Sequence, residues 1–198
     1  GRVDERYTGE VAVRGNWAYT TTWSNRNGRP GNAVKVWNVS GNTPVLADSL
    51  IISGVGTTGD VQISDDGALL VVATEFGSAG SIVIFDRTNP QRPQQLSRFS
   101  SGNTTPGVHT VKLGRVAGRH YAFLSINPGG QPSVPARLVI VDITNPSAPF
   151  EVWSQAMGQP YVHDTFVRDG ILFAANWNAG VRIMDIGGGA RGGTPSAP

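Results

Sequence analysis

Apolar residues along this chain come in short runs that turn residues separate. The clearest run lies in RLVIVDI (137–143), where Leu138 and Ile140 alternate with Val139 and Val141 on an extended strand. A strand that is apolar on both faces is buried on both faces. No segment sustains the apolar period of about 3.6 residues that marks a helix. The pattern therefore predicts an all-β chain whose strands lie between neighbouring sheets.

One sequence motif, a strand followed by a turn, recurs four times along the chain. Its copies are AVKVWNVSGNTP (33–44), SIVIFDRTNPQRP (81–93), RLVIVDITNPSAP (137–149) and VRIMDI (181–186). Each strand ends in an anchor residue, and the anchors are Asn38, Asp86, Asp142 and Asp185. Their spacing of roughly 43 to 56 residues is that of propeller blades. We interpret the anchors as turn-capping residues that accept backbone N–H bonds, and not as catalytic groups.

A pair of strands precedes each anchor line, and a further strand follows the turn. The pairs are EVAV and WAYTTTW, DVQIS and ALLVVAT, HTVKL and HYAFLSI, and HDTFV and ILFAAN. Four antiparallel strands per repeat make a propeller blade. The sequence thus predicts one β-propeller unit over residues 1–186 and a Gly/Pro-rich tail over 187–198. The expected blades cover approximately 8–54, 58–101, 107–157 and 161–186.

The fourth repeat stops where its outermost strand should begin. In one interpretation, RVDERY (2–7) supplies that strand and closes a four-bladed ring. In the interpretation we favour, the four repeats belong to a larger ring. A partner protein that covers the open side is the third alternative.

Composition excludes several classes of function. The 198 residues carry a net charge of +2 with the basic residues scattered singly, so nucleic acid is not an expected partner. There is no cysteine, which excludes disulfides and thiolate metal sites. No apolar run approaches the roughly 20 residues that span a bilayer, although peripheral membrane association stays open.

The recurring line also resembles a known family. RLVIVDITNPSAP, with the looser copies SIVIFDRTNPQRP and GVRIMDI, is similar to the LVIVD repeat of bacterial, mostly exported β-propeller proteins, over residues 5 to 186. The first repeat departs from the pattern because it has Asn38 where Asp is usual. The resemblance implies a propeller fold and a periplasmic or secreted location. It implies no activity, because one fold hosts many functions.

Equivalent positions in a propeller converge on the mouth of its central channel. The innermost strands open with Gly9 and Glu10, Gly59 and Asp60, His109 and Thr110, and His163 and Asp164. The second strands end on the same side, where they add the rim residues Trp23, Glu75, Phe76, Asn176 and Trp177. The histidines and carboxylates are thus expected to point toward one axis.

Two interpretations of the channel mouth stay open. His109, His163, Asp60 and Asp164 are candidate ligands, because neutral imidazoles with carboxylates suit zinc, copper or iron. In the alternative, which we favour, the histidines bond to strand-connecting loops and no cofactor is bound. Trp23 and Trp177 either contact a partner or pack within the blades.

Two classes of function follow. We favour a non-enzymatic binding or assembly module outside the cytoplasm, one that holds a protein partner or a larger, membrane-associated complex. No repeat contains a complete catalytic constellation, and there is no GxSxG nucleophile elbow. The alternative is an oxidoreductase or hydrolase that depends on one transition metal at the channel mouth.

Overall fold

The computed structural model describes residues 5–77, 80–128, 135–158 and 161–198. Within them the strands form antiparallel sheets in chain order. The first sheet comprises β1 (Tyr7–Arg14), β2 (Trp17–Trp23), β3 (Ala33–Asn38) and β4 (Val45–Ile51), and the second comprises β5 (Val55–Ile63), β6 (Leu69–Gly77), β7 (Ser81–Asp86) and β8 (Gln94–Phe99). The third comprises β9 (Val108–Val116), β10 (Arg119–Ile126), β11 (Ala136–Asp142) and β12 (Phe150–Gly158). The last comprises β13 (Asp164–Arg168), β14 (Ile171–Ala175) and β15 (Val181–Asp185), with a short 3₁₀ turn at Trp177–Ala179.

This arrangement confirms the predicted fold class. Each sheet pairs its strands in chain order, with four strands in each of the first three sheets and three in the fourth, as in the blades of a propeller. Each sheet is called a blade from here on. In the described part of the chain, no helix has the length and apolar character needed to cross a bilayer.

The anchor residues cap turns, as predicted. A side-chain oxygen of each anchor accepts the N–H of the residue two positions further on, at 2.9 Å for Asn38, 2.7 Å for Asp86, 2.9 Å for Asp142 and 3.0 Å for Asp185. This bond ends the third strand and starts the turn that follows it. The anchors thus keep the same structural role in all four blades.

Apolar layers fill the junctions between successive blades. Val139 and Val141 pack in the layer between the second and third blades, whereas Leu138 and Ile140 pack in the layer between the third and fourth. All four side chains have no exposed surface. The prediction that the strand RLVIVD is buried on both faces is therefore confirmed.

The start of the chain belongs to the first blade. Tyr7 begins β1, Glu5 forms an ion pair with Lys35 of β3 at 2.8 Å, and Arg6 donates to the Pro30 carbonyl. The interpretation in which 2–7 completes the fourth blade is therefore wrong for residues 5–7, while residues 2–4 lie outside the described part. Tyr7 pairs with Trp23 of the first blade, and the side chains of Glu5 and Arg6 bond to the same blade.

Candidate functional site

The innermost strands of the first three blades break register at the same place. The irregularity lies between Thr8 and Val11 in β1 and between Thr58 and Val61 in β5, and in β9 it makes His109 an extra residue. Bulges of this kind redirect side chains and often lie beside functional sites. The bulges show that the residue pairs Gly9 and Glu10, Gly59 and Asp60, and His109 and Thr110 occupy equivalent positions, as the sequence predicted.

His109 and His163 meet at this end of the blades. Their ring centroids lie 5.2 Å apart in an edge-to-face arrangement. His109 Nδ1 lies 2.8 Å from Glu75 Oε1, which reaches it from the preceding blade. The Glu75 side chain is only 2% exposed, and its Oε2 has no hydrogen-bond partner among the described residues. The carboxylate beside His109 is thus buried, with one oxygen bonded to the imidazole.

Glu75 controls the protonation of His109. The hydrogen bond that the His109 imidazole donates to Glu75 raises the pKa of His109, burial opposes that rise, and the negative charges of Glu75, Asp60 and Glu10 add to it. A protonated His109 and an ionised Glu75 form a charge-assisted pair. This pair joins the second blade to the third.

Aromatic rings continue the row on either side of the histidines. Trp23 lies 5.8 Å from His109, Trp177 lies 5.5 Å from His163, and Tyr161 lies 5.7 Å from Trp177, all between ring centroids. His163 is exposed, and Trp177 is 54% exposed. We call Trp23, Glu75, His109, Tyr161, His163 and Trp177 the strand-end rim. Tyr161 had no signal in the sequence, because it lies in the connection before the innermost strand.

The carboxylates among the proposed metal ligands have other roles. Asp60 Oδ1 accepts the Val61 N–H at 2.6 Å, and its Oδ2 accepts the Val111 N–H of the next blade at 3.0 Å. Burial raises the pKa of the Asp60 carboxyl, and these N–H donors oppose the rise. Asp164 Oδ1 accepts the Thr165 N–H at 2.7 Å. Among the described residues, no three His, Asp or Glu side chains converge as a metal-ligand set. The metal site stays a prediction.

The predicted rim residues of the second strands do not all lie at equivalent positions. Counted from the pairs that β2, β6, β10 and β14 form with the anchors, the equivalent residues are Trp23, Glu75, Asn127 and Trp177. Phe76 therefore lies one residue beyond, half exposed, with a φ of 52°. Asn176 is buried and donates to the Met157 carbonyl at 3.0 Å, so its side chain joins two blades and is not exposed at the rim.

Three of the non-glycine residues with positive φ lie at the rim end of the blades, while Ala117 and Asp169 lie in hairpin turns at the other end. Ser24, Phe76 and Trp177 are non-glycine residues in the left-handed region, with φ of 50°, 52° and 48°. Such conformations cost about 1–3 kcal/mol each and concentrate at functional sites. The strain at Trp177 turns the chain at the start of the short 3₁₀ turn, where the indole is exposed.

Successive antiparallel blades that bring equivalent residues to one end define a β-propeller protein. The family model described as the LVIVD repeat matches residues 5–26, the inner strand pair of the first blade, and 134–156, the outer pair of the third. These two matches confirm the resemblance of the chain to the LVIVD repeat. No curated protein matches it.

Solved propellers share this fold at low sequence identity. A functionally unknown protein from Desulfotomaculum acetoxidans is 11% identical with a TM-score of 0.66, and the match covers 90% of this chain and 52% of that one. The periplasmic gluconolactonase PpgL from Pseudomonas aeruginosa is 15% identical with a TM-score of 0.67, covering 93% and 51%. The computationally designed Ika4 protein is 12% identical with a TM-score of 0.64, covering 93% and 94%. The chain thus spans about half the length of the two natural proteins.

Proposed function

We propose that this chain is a non-enzymatic binding and assembly module that acts outside the cytoplasm and holds a protein partner or a larger, membrane-associated complex. The observation that carries the proposal is the row of rings at one end of the blades, in which His163 and Trp177 are exposed. Aromatic side chains supply much of the contact energy of protein interfaces. The periplasmic or secreted location rests on the LVIVD resemblance.

Side-chain bonding at the rim supports binding over nucleophilic catalysis. His109 Nδ1 is engaged by Glu75, and its nearest ring neighbours are Trp23 and His163. Within the described residues, no serine or threonine hydroxyl bonds to either imidazole. A serine nucleophile needs a base within hydrogen-bond reach.

Capture from an extract of the producing organism tests the proposal. Immobilised wild-type chain is expected to retain a defined partner, and Trp177→Ala with His163→Ala is expected to lose it. The matched control is Phe150→Ala, because Phe150 is about as exposed as Trp177 but lies on the outermost strand of the third blade. Equal capture by the rim variant and the control would refute a binding role for the rim.

A metal-dependent oxidoreductase or hydrolase is the second candidate. The observation that favours it is the pair of imidazoles, one of them bonded to the buried Glu75, whose Oε2 has no partner within the described part of the chain. One of the similar propellers is named a gluconolactonase, but at 15% identity that likeness establishes the fold alone. Elemental analysis of purified chain decides this candidate: stoichiometric zinc, copper or iron that His163→Ala removes would support it.

A further inference from the structure

Positions that are buried inside the arc of blades become exposed on the last blade. The residues two positions before the anchors are equivalent: Val36, Ile84, Ile140 and Ile183. The first three have no exposed surface, whereas Ile183 is 65% exposed. Val181, the equivalent of the fully buried Leu138, is 61% exposed. The outer face of the fourth blade therefore has the side chains of a junction but no neighbouring blade.

The first blade shows the complementary face. Val11 pairs with Thr20 as Val61 pairs with Val72 and Val111 with Leu124, so the three valines are equivalent. Val61 and Val111 are buried against the preceding blade, whereas Val11 is 59% exposed. The first blade thus has the surface that each blade presents to the blade before it.

An aspartate bonds across the junction between the second and third blades, and its equivalent in the fourth blade makes only the local part of that arrangement. Asp60 accepts its neighbour's N–H with one oxygen and the Val111 N–H of the following blade with the other. Asp164 occupies the equivalent position and makes the same local bond, to Thr165. By this equivalence, its second oxygen is placed to accept the N–H of a Val11 in a following blade.

The outer face of the fourth blade has room for incoming side chains. One open cavity, of about 560 Å³, lies between Ile171, Ile183 and the tail residues around Arg191. Flat faces that pack sheet on sheet leave spaces of this kind for interdigitating side chains.

We propose that a second copy of this chain covers both faces, so that the fourth blade of each copy packs against the first blade of the other and eight blades close one ring. The required partner surface is that of a first blade, and another copy has it. The two natural propellers described above are about twice as long as this chain, so two arcs of this length match one such ring. Head-to-tail contacts close when the rotation between copies completes a ring.

The mass of the purified chain in solution tests this proposal. Light scattering during size-exclusion chromatography is expected to give about 42 kDa, twice the 20.9 kDa of one chain. Ile183→Lys and Val11→Asp should each give monomers with an unchanged β-type circular dichroism spectrum. The matched control is Val45→Asp, which alters an equally exposed valine on the outermost strand of the first blade.

Mixing the two variants distinguishes a head-to-tail arrangement, in which the fourth blade meets the first blade of the other copy, from one in which like faces meet. A mixture of Ile183→Lys and Val11→Asp chains restores one native junction and should form dimers, whereas each variant alone does not. A wild-type mass of 20.9 kDa at tens of micromolar would overturn the proposal. So would a Val11→Asp chain that stays dimeric, because it would show that like faces meet.

Discussion

The junctions between blades and the strand-end rim obey different rules within one repeat. At the junctions, equivalent positions hold similar residues, as with Val36, Ile84 and Ile140, all fully buried. At the rim, the equivalent positions hold two tryptophans, a glutamate and an asparagine: Trp23, Glu75, Asn127 and Trp177. Repetition serves packing, because every blade must fit its neighbour. Residues that vary between blades at one end of the ring are therefore the candidates for function.

The largest effect is expected from a charge inside a junction. Leu138→Asp should unfold the chain or make it aggregate, because an uncompensated buried charge costs several kcal/mol against a total stability of about 5–15 kcal/mol. Thermal denaturation followed by circular dichroism measures this. Val45→Asp, which introduces the same charge at an exposed site, should melt like wild type. A folded Leu138→Asp chain would contradict the description of the junctions.

Glu75→Gln should have the next largest effect, because it removes the ion pair between the second and third blades. We expect a loss of about 1.5–3 kcal/mol, the range for hydrogen bonds to charged groups. Glu75 raises the folded-state pKa of His109, so its contribution is complete below about pH 6.5 and is lost as pH rises through that raised value. The difference between variant and wild type should therefore shrink at alkaline pH.

Imidazole NMR checks the same pair directly. The chain has three histidines, and the His109 signal should titrate at a lower pH in Glu75→Gln than in wild type. His120 is the internal control, because it lies near Asp66 on another part of the surface. An unchanged His109 titration would contradict the pairing.

The anchor of the fourth blade predicts a pH effect confined to the tail. Asp185 accepts the N–H groups of Arg191, Gly187 and Gly188, and these bonds lower the pKa of its carboxyl to about 2. A lowered folded-state pKa gives stability that is present above the unfolded value of about 3.9 and is lost as pH falls toward 2. The protection of these amides against exchange, measured relative to their intrinsic rate at each pH, should fall over that window. In Asp185→Asn they should exchange faster at neutral pH as well, whereas the exposed control Asp169→Asn should match wild type.

The smallest effect on stability is expected at the rim. Trp177→Ala should change the melting temperature little, because more than half of the indole is in solvent and its contacts are ring edges of Tyr161 and His163. Trp37→Ala is the contrasting variant, because that indole is buried and donates to Thr20 Oγ1. A large drop in melting temperature for Trp177→Ala would assign the residue to the blade core.

Periodic features were predictable from the sequence, and contacts between repeats were only partly so. The anchors can be recognised in the sequence because each blade needs the same residue type to cap its turn. The meeting of His109 with His163 followed from equivalent positions around an axis. The bond between Glu75 and His109 was not predicted. The sequence placed Glu75 and Phe76 together at the rim and did not show that Glu75 is the one equivalent to Trp23 and Trp177. Asn176 was expected at the rim, but the alternation that buries Leu172 and Ala174 of β14 continues one residue past the strand and directs the Asn176 side chain into a junction.

Position-specific photo-crosslinking tests the central claim that the rim, and not the junctions or the outer strands, holds the partner. A photoreactive residue placed at position 177 should form one adduct of defined mass in an extract of the producing organism, and the same residue at position 150 should not. Excess wild-type chain should suppress that adduct, whereas excess Trp177→Ala chain should do so roughly 30-fold less well if Trp177 is a hot spot of about 2 kcal/mol. Equal adduct yields at the two positions, or none at position 177, would contradict the account.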